Sequence, residues 1–420
     1  MPRKMKDSGI PWVGKIPEDW EVTRLQKCFN EVLTLNSDGA IKNALKFYLG
    51  TIIEKVNFDP ETDPYVADIT KRYTVVNAGD IILNGLNLNF DFVSMRVGRV
   101  GCKGAITSAY IALRAIPDTI VSDYATYLLK SYDHKKAFHN MGTGVRKILT
   151  FRELKKQMLL RPPRDEQKRI ADYLDKTVGR IDGLREKISR EIERLGDYKK
   201  SVISEAVCRG LDKNAKMKDS GIPWVGKIPA GWEVTRGKYC LRLLNRQIKD
   251  DDGVITCFRD GEVTLRSKRR EEGFTVSLKE CGYQGVEPGD LVVHGMDGFA
   301  GSIGISDSRG KASPVLNVID SNECKKYIMY YLRSMAYRDV FLALSTGIRV
   351  RSCDLRWNKL ANLQYILPPL AEQKRIAEYI DKQVARIDAL IEKRKAELER
   401  LEALKRSIIC ECVTGKREVA

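Results

Sequence analysis

Four basic residues, Arg266, Lys268, Arg269 and Arg270, crowd into five positions, and Arg349 and Arg351 close a Ser-Thr-Gly segment that starts at Ser345. Smaller groupings occur at Lys71-Arg72-Tyr73, at Arg96 with Arg99 and Lys103, at Arg146-Lys147, and at Arg309 with Lys311. A guanidinium can pair two donors with guanine, and the amides of Gly-rich turns can hold phosphate, so the chemistry on offer is nucleic-acid binding. Any one of these residues reads equally well as a solvated surface charge. The clusters at 266–270 and 345–351 carry the expectation furthest.

Catalytic chemistry is hard to assemble from this chain. Gly415-Lys416 is followed by Arg417, so it lacks the hydroxyl residue of a phosphate-binding loop. No glycine-rich cofactor fingerprint follows an apolar run. The pairs Pro162-Pro163 and Pro368-Pro369 are preceded by Arg161 and Leu367, where an amino-methyltransferase loop needs Asn or Asp, and they read as helix starts. Asp182 with Glu186-Lys187, and Asp388 with Glu392 and Lys395, have the spacing of a solvated helix face. The three histidines, His134, His139 and His294, read as surface or core residues. Ten cysteines without a C-x-x-C pair read as buried thiols. No catalytic residue, metal site or cofactor is expected. A formal charge of +17 is compatible with a polyanionic partner. No apolar stretch is long enough to cross a membrane, and MPRKMKDSG has no signal-peptide core, which predicts a cytoplasmic protein.

The elements that must position the basic loops are written twice. MKDSGIPWVGKIP occupies residues 5–17 and again 217–229, and Trp20-Glu-Val-Thr-Arg24 recurs at Trp232–Arg236. Pro162-Pro163-x-x-Glu166-Gln167-Lys168-Arg169-Ile170-Ala171 matches the run from Pro368 to Ala377, and Arg180-Ile181-Asp182 matches Arg386-Ile387-Asp388. Between these blocks the halves differ, yet Gly79-Asp80 and Gly289-Asp290 both precede a short apolar run that suits a buried strand. The thirteen-residue word, with its prolines and glycines, predicts an extended, turned clip pinned by Trp12 or Trp224. At 420 residues, two domains are the default.

After each Pro-Pro pair, apolar residues recur at three- and four-residue steps. Ile170, Leu174, Val178, Ile181, Leu184 and Ile188 begin the first stripe, and Ile376, Ile380, Val384, Ile387, Leu390 and Leu398 the second. A stripe sustained over about four heptads with charged flanks predicts coiled-coil pairing of two long helices. A helix packed on its own domain is the alternative.

A doubled Gly-Ile-Pro-Trp-x-Gly-x-Ile-Pro opening, a private middle, Pro-Pro-x-x-Glu-Gln-x-x-Ile-Ala and a long helix resemble the specificity subunits of type I restriction-modification systems. The resemblance covers essentially the whole chain. It implies an α+β protein with two α/β target-recognition domains, separated by two long antiparallel coiled-coil helices in a pseudo-twofold internal repeat. The expected segments are 1–161, 162–212, 213–367 and 368–420: recognition domain, helix, recognition domain, then helix with tail. Each domain would read half of a split double-stranded DNA target. The helices would set the gap and dock methyltransferase subunits, two of them, with endonuclease/translocase subunits alongside. Methyl transfer and cleavage would then belong to those partners. A stand-alone DNA-modifying enzyme and a coiled-coil scaffold without nucleic-acid function stay open as alternatives.

Overall fold

The computed structural model describes residues 3–419, apart from 59, 90, 91, 93, 140, 143, 145, 146, 270–280 and 345–354. The chain forms two compact units, Met1–Ser189 with Ala396–Ala420, and Arg190–Lys395. Each unit therefore takes part of both long helices, across the segment limits read from the sequence.

In the first unit the repeated word folds as a hairpin. Met5–Asp7 pairs antiparallel with Lys15–Pro17, and the turn uses Gly14 at φ +73° and the Ser8 hydroxyl, which accepts the Ile10 amide. The second copy repeats this with Met217–Asp219 against Lys227–Pro229. The clip is not pinned where the sequence suggests. Trp12 is 37% exposed and meets Tyr132 edge-on, whereas Ile16 and Trp20 are fully buried. Ile16 and Pro17 are both buried and lead the chain to Trp20, so the second tryptophan of the frame is the anchor.

The next strand closes the private segment. Glu21–Arg24 pairs with Met158–Arg161, and Glu233–Arg236 with Gln364–Leu367, so both ends of each variable stretch meet in one ladder. Between them lies a four-stranded antiparallel sheet. Its order is Phe29–Glu31, Ile111–Ala115, Ile81–Leu83, Val97–Arg99 in the first unit, and Leu241–Leu243, Leu316–Ser321, Leu291–His294, Ile303–Ile305 in the second. Ile81 and Leu83 join the main core with the helix Ser122–His134, while Ile82 faces a second cluster with Val76 and Ile106. A strand buried on both faces reads as a continuous apolar run.

The two repeated words touch within each unit. Trp20 Nε1 donates to Glu166 at 3.1 Å, and Trp232 Nε1 to Glu372 at 3.2 Å. Gln167 accepts the Val121 amide and donates to the Pro162 carbonyl, each at 2.8 Å; Gln373 does the same with Cys324 and Pro368. The Glu-Gln pair is thus a bracket tying helix start to domain, buried in the first unit and half-buried at Glu372 in the second, a stronger role than the helix-dipole preference alone supplies.

The long helices run Arg164–Arg209 and Leu370–Val413. Within the first unit Asp182 pairs with Lys405 and Arg185 with Glu402; within the second Lys199 pairs with Asp388 and Glu191 with Arg394. One number rises as the other falls, so the helix segments in each unit are antiparallel. Ile170, Leu174, Val178, Ile181 and Ile188 are buried, as are Ile376, Ile380 and Ile387, with Val384 and Leu398 half-buried. Leu184 and Leu390 depart from the expected stripe at 48% and 50% exposure. Among the described residues no helix is long and apolar enough to cross a membrane.

Candidate nucleic-acid interface

The basic residues of the first unit are dispersed. Lys71 and Arg72 end the helix Pro64–Lys71, both exposed, with Arg72 paired to Asp68 at 2.9 Å. Arg99, half-exposed on a sheet strand, pairs with Asp123 at 2.5 Å, and Lys103 and Lys147 are exposed. Two candidates are not surface groups. Tyr73 is 9% exposed, its ring parallel to Phe58 and its hydroxyl accepting from Lys55 at 2.8 Å. Arg96 is 1% exposed, and its guanidinium donates to the carbonyls of Asn84, Leu86 and Asn87. A buried guanidinium needs acceptors, and the loop folded over it supplies them. Arg96 is therefore a tie beneath a loop, a correction to its reading as a DNA contact. Arg146, Arg270, Arg349 and Arg351 lie outside the described residues.

The second unit gathers its candidates more closely. A cleft of about 980 Å³ opens between the Ile255–Cys257 strand, the turn Arg266–Arg269 and the loop that begins at His294. Phe258, Arg259, Arg266, Arg269, His294 and Met296 line it. Arg269 lies 4.1 Å over the Phe258 ring and forks onto Asp260 at 2.6 and 3.0 Å, with a further bond to Glu262 at 2.6 Å. Burial pushes the Asp260 carboxyl up, but the bonds from Arg269 and the Glu262 amide outweigh it and hold the group below the usual carboxylate range. Arg266 Nε donates to Thr256 at 3.4 Å. Lys268 donates to Ser308 at 2.6 Å, and Arg309 is held by Asp252 at 3.0 Å and by Glu287. Lys311 is half-buried on the strand Gly310–Ala312.

His294 and Arg259 line this cleft, although His294 reads from the sequence as a surface or core residue and Arg259 belongs to none of the basic groupings. The available signal was positional. His294 directly follows the apolar run Leu291–Val293 after the Gly-Asp turn, where Asn84 follows Ile81–Leu83 in the other half. Burial lowers the His294 pKa, and the nearby Arg259 charge adds to this against the opposing pull of Asp297.

The model of the type I restriction modification DNA specificity domain matches residues 17–194 and 286–400. The type I restriction enzyme MjaVIII specificity subunit of Methanocaldococcus jannaschii is 26% identical over 427 residues, spanning 96% of this chain and 94% of its own length. The type I restriction enzyme StySPI specificity subunit of Salmonella potsdam is 21% identical over 61% of this chain and 56% of its own. Among solved structures, a chain from work on assembly and conformational transition of the type I restriction-modification system superposes with a TM-score of 0.70 at 14% identity, covering 96% of this chain and 99% of that one. The HsdS subunit from Thermoanaerobacter tengcongensis superposes at 0.51 with 15% identity, covering 96% and 98%.

Proposed function

The chain belongs to the type I restriction-modification DNA specificity family, and we propose that it is the subunit that chooses where a type I complex acts, each recognition domain reading one half of a split duplex target. The observation that carries this reading is the way each unit is built. One private segment is closed by the same ladder, bracketed by the same Trp-Glu contact, and mounted on the same antiparallel helix pair. Such a frame presents two unlike surfaces equivalently. That is what a split asymmetric sequence requires.

In this reading the surface cations, among them Lys71, Arg72, Arg99, Lys103, Lys147 and the cleft arginine Arg266, supply phosphate and base-edge contacts. The chain itself carries out no chemistry in the cytoplasm, and methyltransferase and endonuclease/translocase subunits act on its instruction. The helices set the gap between half-sequences. Leu184 and Leu404 in the first unit, and Leu390 and Tyr198 in the second, are about half exposed, at positions the repeat makes equivalent. Exposed apolar side chains at equivalent positions of the two units support docking of two methyltransferase subunits.

The test is methylation mapping of genomic DNA from cells expressing the chain with its methyltransferase subunit. A split motif is expected, and exchange of residues 18–161 for another family member's segment should change one half alone. A contiguous motif, or a change in both halves, would overturn the reading.

A further inference from the structure

Both units raise a β-hairpin at the same place in their private segments. Leu45–Tyr48 pairs with Thr51–Glu54 in the first unit, and Ile255–Cys257 with Val263–Leu265 in the second. Each is rooted by one parallel bridge, Ala44 to Ala105 and Val254 to Lys311, and each lies over a sheet glycine. A Cβ on Gly98 would stand 3.1 Å from Phe47 and Ile52, and one on Gly304 2.0 Å from the Gly261 carbonyl oxygen. The tips differ in chemistry. The second is Phe258-Arg259-Asp260-Gly261-Glu262, whose carboxylates are tied by Arg269, whereas the first is Tyr48-Leu49-Gly50-Thr51.

The first tip is apolar and faces water. Leu49 is 67% exposed and Tyr48 56%. The two-residue turn has positive φ at both positions, +46° at Leu49 and +80° at Gly50, a geometry for which Asn-Gly is the favoured pair. Leucine is seldom held there, and folding alone gives no reason for it. The turn is nevertheless fixed, because Gly50 is buried where a Cβ would lie 2.8 Å from Met95, and the Thr51 hydroxyl donates to the Tyr48 carbonyl at 2.6 Å. Beneath it Phe47 meets Tyr110 edge-on at 5.8 Å, so the hairpin stands on the core. Lysines flank the tip. Lys42 is exposed and Lys46 Nζ lies 5.9 Å from the centre of the Tyr48 ring, while Glu54 is the one acid in residues 42–55.

We infer that Leu49 is a wedge that enters the minor groove and parts two stacked base pairs in the half-sequence read by the first unit, with Lys42 and Lys46 on the flanking phosphates. This rests on the reading of the units as DNA-reading domains. A rigid, protruding apolar side chain between cations fits a base step, whose faces are apolar and whose margins are phosphate. Pyrimidine–purine steps unstack most easily, so the wedge selects such a step without touching a base edge. The second hairpin, charged at its tip and with Phe258 covered by Arg269 at 4.1 Å, leaves its own half-sequence stacked.

The test uses the full-length chain, assembled with its methyltransferase subunits, on target duplex carrying 2-aminopurine in place of single adenines of either strand, away from the methylated positions. Fluorescence should rise several-fold at one step of the first unit's half and at none in the other. L49N removes the wedge while supplying the residue the turn prefers, so the hairpin is kept. With it, fluorescence should fall to that of the free duplex, and the parent's roughly tenfold preference for a pyrimidine–purine step should vanish. L49M, which keeps an apolar arm, should retain both. No unstacked step with the parent complex, or an unchanged one with L49N, overturns the inference. So does failure of L49N to assemble with the methyltransferase subunits, which would make the tip a protein contact. A parent without any split motif would instead defeat the functional reading itself.

Discussion

Lys405 Nζ donates to both carboxylate oxygens of Asp182, at 2.7 and 2.8 Å, and Lys199 makes the same two bonds to Asp388 at the same distances. The Pro-Pro blocks lie 206 residues apart, and that offset carries Asp182 onto Asp388 and Lys199 onto Lys405. One contact is thus made twice with its partners exchanged between the repeats. The same exchange recurs where Tyr124 donates to the Leu160 and Val413 carbonyls, and Tyr327 to those of Ile366 and Val207. Each unit completes its core with the end of the helix that the other repeat encodes, which is why neither private segment with its own downstream helix is a finished domain.

The exchanged pairs should be energetically equal. Asp182 and Asp388 are each 46% exposed at the side chain and their lysines 22% and 24%, so solvent screening limits each pair to roughly 0.5–1 kcal/mol. Double-mutant cycles of D182A with K405A, and of D388A with K199A, followed by calorimetric unfolding, should return the same coupling. A pronounced difference between the two would show that the repeats carry unequal loads at this level of the helices.

Acid should weaken the first unit through His134. Burial, reinforced by the Arg406 charge, depresses its pKa from 6.5 to about 4. The unfolded chain then binds the proton first as pH falls, so His134 contributes stability above pH 6.5 that is lost progressively down to about pH 4. Melting temperatures of the parent should fall between pH 7 and pH 4.5, and H134N should fall less. Parallel curves for the two proteins would remove His134 as the cause.

Arg269 should matter mainly through the carboxylates it neutralises. With Asp260 and Glu262 both bonded to it, little of its charge is left for phosphate, and R269A would leave two unpaired acids at the cleft wall. Affinity for target duplex should fall several-fold in R269A and recover largely in R269A/D260N/E262Q. Failure of the triple variant to recover would mean that Arg269 itself holds DNA.

The outline of this protein was legible in one dimension because its signals are local. Helix starts at the Pro-Pro pairs, apolar steps of three and four, and Gly-Asp turns before buried strands depend on neighbours within a few residues, and the observed helices Arg164–Arg209 and Leu370–Val413 begin within two residues of those prolines. The duplicated words, compared with each other, disclosed a twofold plan and the family. What only the tertiary structure decided is the environment of single side chains. Arg96 and Arg99 are both arginines in one basic cluster, yet the first is sealed under three carbonyls of a loop and the second lies on the surface. Leu184 has the spacing of a core residue and is half exposed, while His294, one uninformative letter, accepts two loop amides at Nδ1 in the lining of a cleft. Burial and hydrogen-bond polarity are set by groups that arrive from distant parts of the chain, and a periodic pattern carries no record of which groups those will be.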